Sequence, residues 1–148
     1  MLGIEEIIMI GYPAGIWDKY NNMPIIRRGM TATHINQDYE NRPEFMIDAA
    51  CFPGSSGSPV FLYNIGGYST KLKRIPRKII ISGQIKGNRV KLIGILYAGP
   101  QFSVNGEMEI IEIPTKSDAK VISNIPMNLG LVIKSNKLLE FNSILSKL

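Results

Sequence analysis

A chain of 148 residues, 45% apolar and 20% charged, fits one compact domain, and we treat residues 1–148 as that domain. Its apolar runs are far shorter than the roughly 20 residues that cross a bilayer, and Glu5 and Glu6 stand where a secretion signal needs positive charge, so we expect neither a membrane segment nor export. The single cysteine, Cys51, permits no internal disulfide and favours a reducing, cytoplasmic location.

Short segments rich in Ile, Val, Tyr and Phe, separated by Gly, Pro or Asn clusters, are typical of antiparallel β structure. The predicted strands, in chain order, are residues 4–11, 25–35, 44–49, 59–63, 78–85, 90–98, 108–113 and 128–133. Ser135 is placed to cap a following helix, in which apolar residues recur near helical spacing at Leu138, Phe141, Leu145 and Leu148. The pattern predicts an all-β domain with one terminal helix packed on it.

Positive charge is concentrated in residues 65–91, which contain no acidic residue. Eight of the 17 basic residues lie there: Lys71, Lys73, Arg74, Arg77, Lys78, Lys86, Arg89 and Lys91. Residues 83–88 hold two glycines and an asparagine, a composition suited to a tight turn between residues 79–81 and 90–95. We therefore predict a protruding basic hairpin, residues 71–91, with its charges unopposed.

Two functions are open for this basic hairpin. Lysines on an exposed strand commonly prevent sheets from pairing edge to edge, which needs no partner. A binding site for a charged partner is the alternative, since unopposed cations displace the counterions of phosphates. Nucleic-acid binding is not expected, because Tyr68 is the segment's only aromatic residue for base stacking.

The most informative stretch is residues 48–61, D-A-A-C-F-P-G-S-S-G-S-P-V-F, in which small residues separate two apolar segments. Gly54 and Gly57 allow backbone torsions that direct consecutive N–H groups to one point. Such donors stabilise the oxyanion of an acyl-transfer reaction by roughly 3–4 kcal/mol each. The N–H groups of Gly54 and Ser56 are the candidates, and a plain surface turn is the alternative interpretation.

The sequence G-S-S-G-S-P, residues 54–59, matches the G-D/N-S-G-G-P signature of trypsin-like serine peptidases at four of six positions. Flanking blocks follow in the order found in bacterial high-temperature-requirement-type proteases: residues 8–15, 28–32, 48–59, 92–98 and 128–145. The chain resembles the C-terminal half of that fold. The resemblance implies a single six-stranded antiparallel Greek-key barrel, here with an extra basic hairpin and a C-terminal helix.

The resemblance also implies roles for individual residues. Ser56 takes the place of the nucleophile, and the amides of Gly54 and Ser56 take that of the oxyanion hole. Ala50 falls at the base of the specificity pocket, where an uncharged residue favours small or apolar substrate side chains. The edge that pairs with the substrate backbone falls on Leu96, Tyr97 and Ala98.

Two positions depart from the signature: Ser55 replaces Asp or Asn, and Ser58 replaces the second glycine. The family's catalytic His and Asp belong to its first barrel, which does not fit in this chain, so the triad is incomplete. His34, in T-A-T-H, resembles the sequence around that His but falls on a second-barrel strand, and we interpret it as a strand or loop residue. Cys51 is interpreted as a buried small residue.

No cofactor is expected. One His and one Cys, without carboxylates at ligand spacing, do not predict a metal site. Phosphate-binding and dinucleotide-binding glycine patterns are missing from the sequence. Tyr12, Trp17 and Tyr20 are predicted to form a local cluster that anchors a long loop.

Two functional hypotheses follow. The first is a serine endopeptidase-like domain, inactive alone, that cleaves a peptide or protein substrate when the missing N-terminal barrel is supplied in cis or in trans. The second is a non-catalytic interaction module that binds a partner through the barrel edge or the basic hairpin. A barrel without its sibling exposes an apolar face, so self-association, as in a homo-oligomer, is also expected.

Overall fold

The computed structural model describes residues 4–71, 82–102, 108–112 and 125–146. Ten strands lie in these ranges: β1 (Glu6–Gly11), β2 (Ile25–Thr31), β3 (Glu44–Asp48), β4 (Pro59–Asn64), β5 (Tyr68–Lys71), β6 (Ser82–Ile85), β7 (Arg89–Phe102), β8 (Met108–Glu112), β9 (Ile125–Pro126) and β10 (Leu129–Lys134). A 3-10 turn covers Pro13–Gly15. A second 3-10 segment, Ser135–Phe141, leads into a short helix, α1 (Asn142–Leu145).

Six strands form a closed antiparallel barrel. They follow the order β10-β3-β2-β1-β4-β7, and the ring closes because β7 also pairs with β10. β1, β2 and β3 are consecutive neighbours, and β4 returns to lie beside β1, which is the strand order of a Greek key. The predicted all-β, six-stranded Greek-key barrel with a C-terminal helix is confirmed.

The core follows from alternation along the strands, because successive side chains of a strand point to opposite faces of the sheet. Ile7 and Met9 on β1 are at most 1% exposed, and Phe45 and Ile47 on β3 repeat the spacing of two with the same burial. The other buried apolar residues of this cluster are Ala49, Cys51, Val60, Leu62, Ile93, Leu96 and Val132. Burying a large aliphatic or aromatic side chain contributes about 1.5–3 kcal/mol.

Barrel closure depends on a close approach of β7 to β10 at Gly94. A Cβ atom at this position would overlap the carbonyl oxygen of Ile133 and lie 2.5 Å from Cγ1 of Val132. Glycine is the one residue type that avoids both contacts. Gly94 pairs with Lys134 of β10 and also with Val60 of β4, so it lies where the ring closes.

The basic hairpin continues the β4–β7 pair away from the barrel, and its predicted turn is wrong. Tyr68–Lys71 pairs with Ser82–Ile85, so residues 83–85 belong to β6 and do not form a turn with 86–88. Residues 90–95 pair with β4, whereas residues 79–81, their predicted partner, lie outside the described residues. The segment 72–81, with four of the eight basic residues, lies outside the described residues.

The charge of Arg89, at the base of the basic hairpin, is paired. Its Nη2 lies 2.5 Å from Oε2 of Glu5 and donates at 2.8 Å to Oδ1 of Asn64, and its guanidinium stacks 4.3 Å from the Tyr68 ring centre. The expectation that all eight charges are unopposed is therefore wrong for Arg89, which ties β7 to β4 and the N-terminal segment. Lys86 and Lys91 are exposed.

Several strand ends differ from the prediction. β2 ends at Thr31, four residues early, because residues 32–37 turn to hydrogen-bond with Met46 and among themselves. β7 does not end before Gly99 and Pro100 but continues to Phe102. Proline is tolerated there because its backbone faces Met127, between β9 and β10, where no ladder pair of the described residues needs the missing N–H. The short strands β5 and β9 were not predicted.

The C-terminal helix packs less fully than its sequence pattern suggests. Ser135 is the first residue of the 3-10 segment, and no side-chain cap forms. The segment contacts β7 and β10, yet Phe141 is 57% exposed and Leu145 is 63% exposed. Leu148 lies outside the described residues. No helix in the described ranges is long and apolar enough to cross a membrane.

Candidate functional site

The serine loop, residues 49–58, connects β3 to β4 and contains two consecutive tight turns. In the first, the Ser55 N–H donates to the Phe52 carbonyl at 3.0 Å, and in the second the Ser58 N–H donates to the Ser55 carbonyl at 3.1 Å. The third residue of each turn is a glycine with positive φ, 83° at Gly54 and 85° at Gly57. This is the pattern of a type II turn, which requires glycine at that position. The two motif glycines therefore shape the loop.

The loop is fixed to the turn that follows β1. The Pro53 carbonyl accepts a hydrogen bond from the Ala14 N–H at 2.5 Å. A Cβ atom on Gly54 would lie 2.8 Å from the Tyr12 carbonyl oxygen and 3.1 Å from the Ala14 nitrogen. The two backbone segments are thus in direct contact, with no room for a side chain between them.

The N–H groups of Gly54 and Ser56 have no hydrogen-bond acceptor within the described ranges. Their directions follow from the peptide geometry, because the N–H of a trans peptide points opposite to its C=O. The Pro53 carbonyl faces Ala14, so the Gly54 N–H points away from the Pro13–Gly15 turn. The Ser55 carbonyl faces the Ser58 N–H, so the Ser56 N–H points away from the second turn. Both donors predicted for an oxyanion hole are free.

Ser56 is partly exposed, and its hydroxyl contacts the neighbouring strand. Its Oγ donates to the Tyr97 carbonyl oxygen at 3.4 Å, a long and therefore weak bond. A carbonyl oxygen does not accept the proton of an alcohol in a reaction, so this contact orients the hydroxyl without activating it. Over the described part of the chain, no His, Asp or Glu side chain is hydrogen-bonded to Ser56.

Ser55, which replaces the Asp or Asn of the signature, is completely buried and accepts a hydrogen bond from Arg27 on β2. The same guanidinium donates to the Ala50 carbonyl and lies 5.6 Å from the centre of the Phe52 ring. Burial lowers the pKa of Arg27, and the nearby Cys51 acts in the opposite direction. Arg27 therefore holds both the beginning and the middle of the serine loop.

Sequence reasoning missed Arg27, although a signal was present. On β2 the side chains that alternate with exposed positions are those of Ile25, Arg27, Gly29 and Thr31. A period of two thus places Arg27 on the less exposed face, beside the following loop. A charged side chain on the less exposed face of a strand requires a polar partner, and Ser55 is that partner.

Ser58, the other departure from the signature, is buried against Gly11 of β1. A Cβ atom on Gly11 would overlap the Ser58 Oγ, and Ser58 is 4% exposed. The serine hydroxyl therefore fills space that the missing side chain of Gly11 leaves. The motif accommodates Ser58 because its neighbour across the strand pair is a glycine.

Leu96 connects the serine loop to β7 through two backbone hydrogen bonds. The Gly57 N–H donates to the Leu96 carbonyl at 2.8 Å, and the Leu96 N–H donates to the Ser58 carbonyl at 3.0 Å. Tyr97, the next residue, is bulged out of the β7–β10 pairing. The bulge turns the Tyr97 carbonyl toward Ser56.

Of the predicted substrate edge, Leu96 already has both backbone groups bonded to the serine loop, and the pairing of this edge with a substrate stays a prediction. Leu96 and Tyr97 lie beside the serine loop, and the Tyr97 hydroxyl donates to Oε2 of Glu44 at 2.9 Å. Ala98 is 2% exposed and already has a strand on each side: it pairs with Leu131 of β10 and with Glu112 of β8.

Ala50 is the second residue of the serine loop, and its carbonyl accepts a hydrogen bond from Arg27. A cleft of about 390 Å³ lies elsewhere on the barrel, and the residues that line it are Ile35, Asn36, Asp38, Phe45, Lys91, Ile93, Lys134, Ser135 and Asn136. None of the predicted site residues contributes to this cleft. The role of Ala50 at the base of a specificity pocket stays a prediction.

His34 lies in the turn after β2, where its Nδ1 accepts from the Asn36 N–H at 3.1 Å and its carbonyl accepts from the Gln37 N–H at 3.1 Å. These contacts are local and do not involve the serine loop. Cys51 is 4% exposed, and burial raises the pKa of its thiol to about 11. A thiol that stays protonated at neutral pH is a poor nucleophile. Within the described ranges, no three His, Cys, Asp or Glu side chains are grouped to hold a metal ion.

An aromatic pair lies beside the loop on the segment after β1. The rings of Tyr12 and Trp17 meet edge to face, with centres 6.4 Å apart, and Nζ of Lys19 lies 5.5 Å from the Trp17 ring centre. Tyr20 is 96% exposed and does not join the predicted cluster. Since Tyr12 and Ala14 contact the serine loop through their backbones, this pair forms one border of the site.

Comparisons of the chain with family models, with curated proteins and with solved structures found no match.

Proposed function

We propose that this domain is the nucleophile-bearing half of a serine endopeptidase. The observation that carries the proposal is the pair of free N–H groups, on Gly54 and Ser56, in a loop whose Ser56 hydroxyl is partly exposed. Free backbone donors beside an alcohol are what acyl transfer requires, and most buried or partly buried N–H groups are otherwise hydrogen-bonded. The Greek-key barrel agrees with the fold that the resemblance implies.

In the proposed reaction, the Ser56 oxygen attacks the carbonyl carbon of a peptide bond, and its proton passes to a histidine of another barrel. That barrel belongs to the same polypeptide or to a partner, and an acid on it orients the histidine. The Gly54 and Ser56 N–H groups stabilise the negative oxygen that forms, by about 3–4 kcal/mol per donor. The histidine then protonates the leaving amine, and water later releases the acyl group from Ser56.

A fluorophosphonate probe applied to the natural full-length gene product tests the proposal. Labelling of the wild-type protein is expected, together with loss of labelling in Ser56→Ala. Ser143→Ala is the matched control, because Ser143 is an exposed serine on α1 and its variant should be labelled like the wild type. Equal labelling of all three proteins, or of none, contradicts the proposal.

The non-catalytic interaction module is the second candidate, and one observation favours it. The Ser56 hydroxyl contacts a backbone carbonyl rather than a base. Under this hypothesis the natural product gives no labelling at Ser56 but still binds an extended peptide along β7. Peptide binding without labelling of Ser56 therefore distinguishes the interaction module from the peptidase.

A further inference from the structure

Strand β7 is longer than the barrel needs, and its two sides carry different neighbours. Gly94 and Ile95 pair with β4 on one side and with β10 on the other. Further along, Gln101 and Phe102 pair with β9, which leads directly into β10. β9 and β10 therefore share one side of β7.

The other side of β7 holds β4, then the serine loop, then β8. Gln101 and Phe102 pair with β8 as well as with β9, so β8 lies opposite β9 and on the same side as β4. Between β4 and β8, this side is occupied at Leu96 by the serine loop and at Tyr97 by the Ser56 hydroxyl. Consider an extended peptide whose scissile carbonyl lies at Ser56 and whose backbone pairs with β7. The part of β7 with which it would pair is the part that β8 covers, Ala98 to Phe102.

The backbone hydrogen bonds of this stretch can be assigned to sides. The Met127 N–H donates to the Pro100 carbonyl at 3.3 Å, so the backbone groups of Pro100 face β9 and β10. Neighbouring residues of a strand direct their N–H and C=O groups to opposite sides. Gly99 and Gln101 therefore face β8, where they pair with Ile111 and Glu109.

From this placement we infer that β8 is an internal competitor that occupies the peptide-binding edge of β7. This inference rests on the proposed function for the identity of the site and adds its regulation. β8 runs antiparallel to β7, from Met108 opposite Phe102 to Glu112 opposite Ala98, so its C-terminal end approaches Ser56. A substrate peptide pairs with Gly99 and Gln101 only after β8 leaves them.

The tether makes β8 an effective competitor, because a covalently linked strand acts at a local concentration of the order of millimolar. A free peptide therefore binds weakly until the β8 pairing is broken. A small acylating reagent reaches Ser56 without using the edge. The inference thus predicts that occlusion applies to peptides and not to small probes.

Two proline variants of β8 test the inference. Ile111 faces β7 with its backbone groups, so Ile111→Pro removes a ladder hydrogen bond. Ile110→Pro is the matched control, because the Ile110 backbone faces away from β7, toward a side of β8 on which the described residues place no strand. The probe is a fluorescein-labelled peptide with the sequence of residues 107–113, E-M-E-I-I-E-I, and its binding is measured by fluorescence anisotropy.

Ile111→Pro should bind the peptide at least about tenfold more tightly than the wild type, and Ile110→Pro should bind like the wild type. Equal affinities in all three proteins overturn the inference. A variant with Met108–Glu112 replaced by a Gly/Ser segment of equal length repeats the test if the proline variant does not fold. If this Gly/Ser variant does not bind the peptide more tightly than the wild type, the inference is likewise overturned.

Ser56→Ala in the Ile111→Pro background separates this inference from the proposed function. Edge pairing uses backbone groups, so peptide binding should be unchanged by loss of the hydroxyl. Tight peptide binding without fluorophosphonate labelling of Ser56 contradicts the peptidase and leaves the β8 inference standing. Labelling of Ser56 without tighter peptide binding by Ile111→Pro contradicts the β8 inference and leaves the peptidase proposal standing.

Discussion

The guanidinium of Arg27 donates a hydrogen bond to the hydroxyl of Ser55, the residue that immediately precedes Ser56 in the serine loop. The same guanidinium holds the Ala50 carbonyl, so one side chain from β2 fixes two points of the loop. In the described residues, Arg27 has no carboxylate partner. The loop itself supplies its acceptors.

Replacing Arg27 should destabilise the domain. Arg27→Met leaves the buried Ser55 hydroxyl and the Ala50 carbonyl without their donor, which costs about 1–3 kcal/mol in the free energy of unfolding. Urea denaturation measures the change. Arg28→Met is the control, because the ion pair of Arg28 with Glu6 joins side chains that are 68% and 52% exposed. Its effect should stay within about 0.5 kcal/mol, and an equal loss in both variants would contradict the assignment.

The two loop glycines should differ in their tolerance of alanine. Gly57→Ala forces alanine into the positive φ that Gly57 adopts but creates no close contact, since no atom lies within 4 Å of the added Cβ. It should lower the free energy of unfolding by about 1–2 kcal/mol. Gly54→Ala adds the close contacts with Tyr12 and Ala14 and should cost more. Thermal or urea unfolding of the two variants shows which of them is less stable. Gly57→Ala being the more destabilising variant would show that the loop does not pack on the Pro13–Gly15 turn as described.

Gly11 and Ser58 should be energetically coupled. Gly11→Ala should destabilise the domain, because the new Cβ overlaps the Ser58 hydroxyl. In a Ser58→Gly background that overlap is gone, so the same substitution should cost at least about 0.5 kcal/mol less. A double-mutant cycle measures the coupling. A coupling energy of zero would mean that the two residues do not compete for the same space.

The buried thiol of Cys51 should make stability depend on alkaline pH. Its pKa is raised to about 11 by burial, whereas the unfolded chain loses this proton near the ordinary value. The unfolded state therefore binds fewer protons between about pH 9 and about pH 11, and the free energy of unfolding falls there by up to about 1.4 kcal/mol per pH unit. Below this window the contribution is constant.

Cys51→Ala isolates this contribution, because lysines and tyrosines that titrate in the same window are common to both proteins. Urea unfolding at about pH 8 and at about pH 10.5 should show a steeper loss of stability in the wild type, by about 2 kcal/mol. Parallel pH dependence of the two proteins would show that the thiol ionises normally in the folded state.

Local sequence pattern was sufficient for most of the barrel. Short apolar segments bounded by Gly, Pro or Asn clusters placed β1, β3, β4 and β10 within two residues of their ends. The glycines of the serine loop predicted its turns for the same local reason: positive φ at Gly54 and Gly57 requires them.

Contacts between distant segments could not be predicted in this way. The turn assigned to residues 83–88 failed because Tyr68–Lys71, a short polar segment, is the true partner of Ser82–Ile85. The pairing of β8 along β7 beyond Pro100 depends on which side of β7 remains open, and that depends on the whole ring. The period of two along β2 was an unused signal for Arg27 on the less exposed face, but only the fold identifies Ser55 as its partner.

The pairing of β7 with β10 leaves none of the six barrel strands with an unfilled neighbour position. The second domain required by the proposed function would therefore add no strand to this ring and would meet it through side chains and loops. Docking of that kind is reversible without melting either body. If the proposed function holds, stability and catalysis are separable properties: the domain stays folded while inactive, and the fraction of molecules with the second domain docked sets the fraction that is catalytically competent.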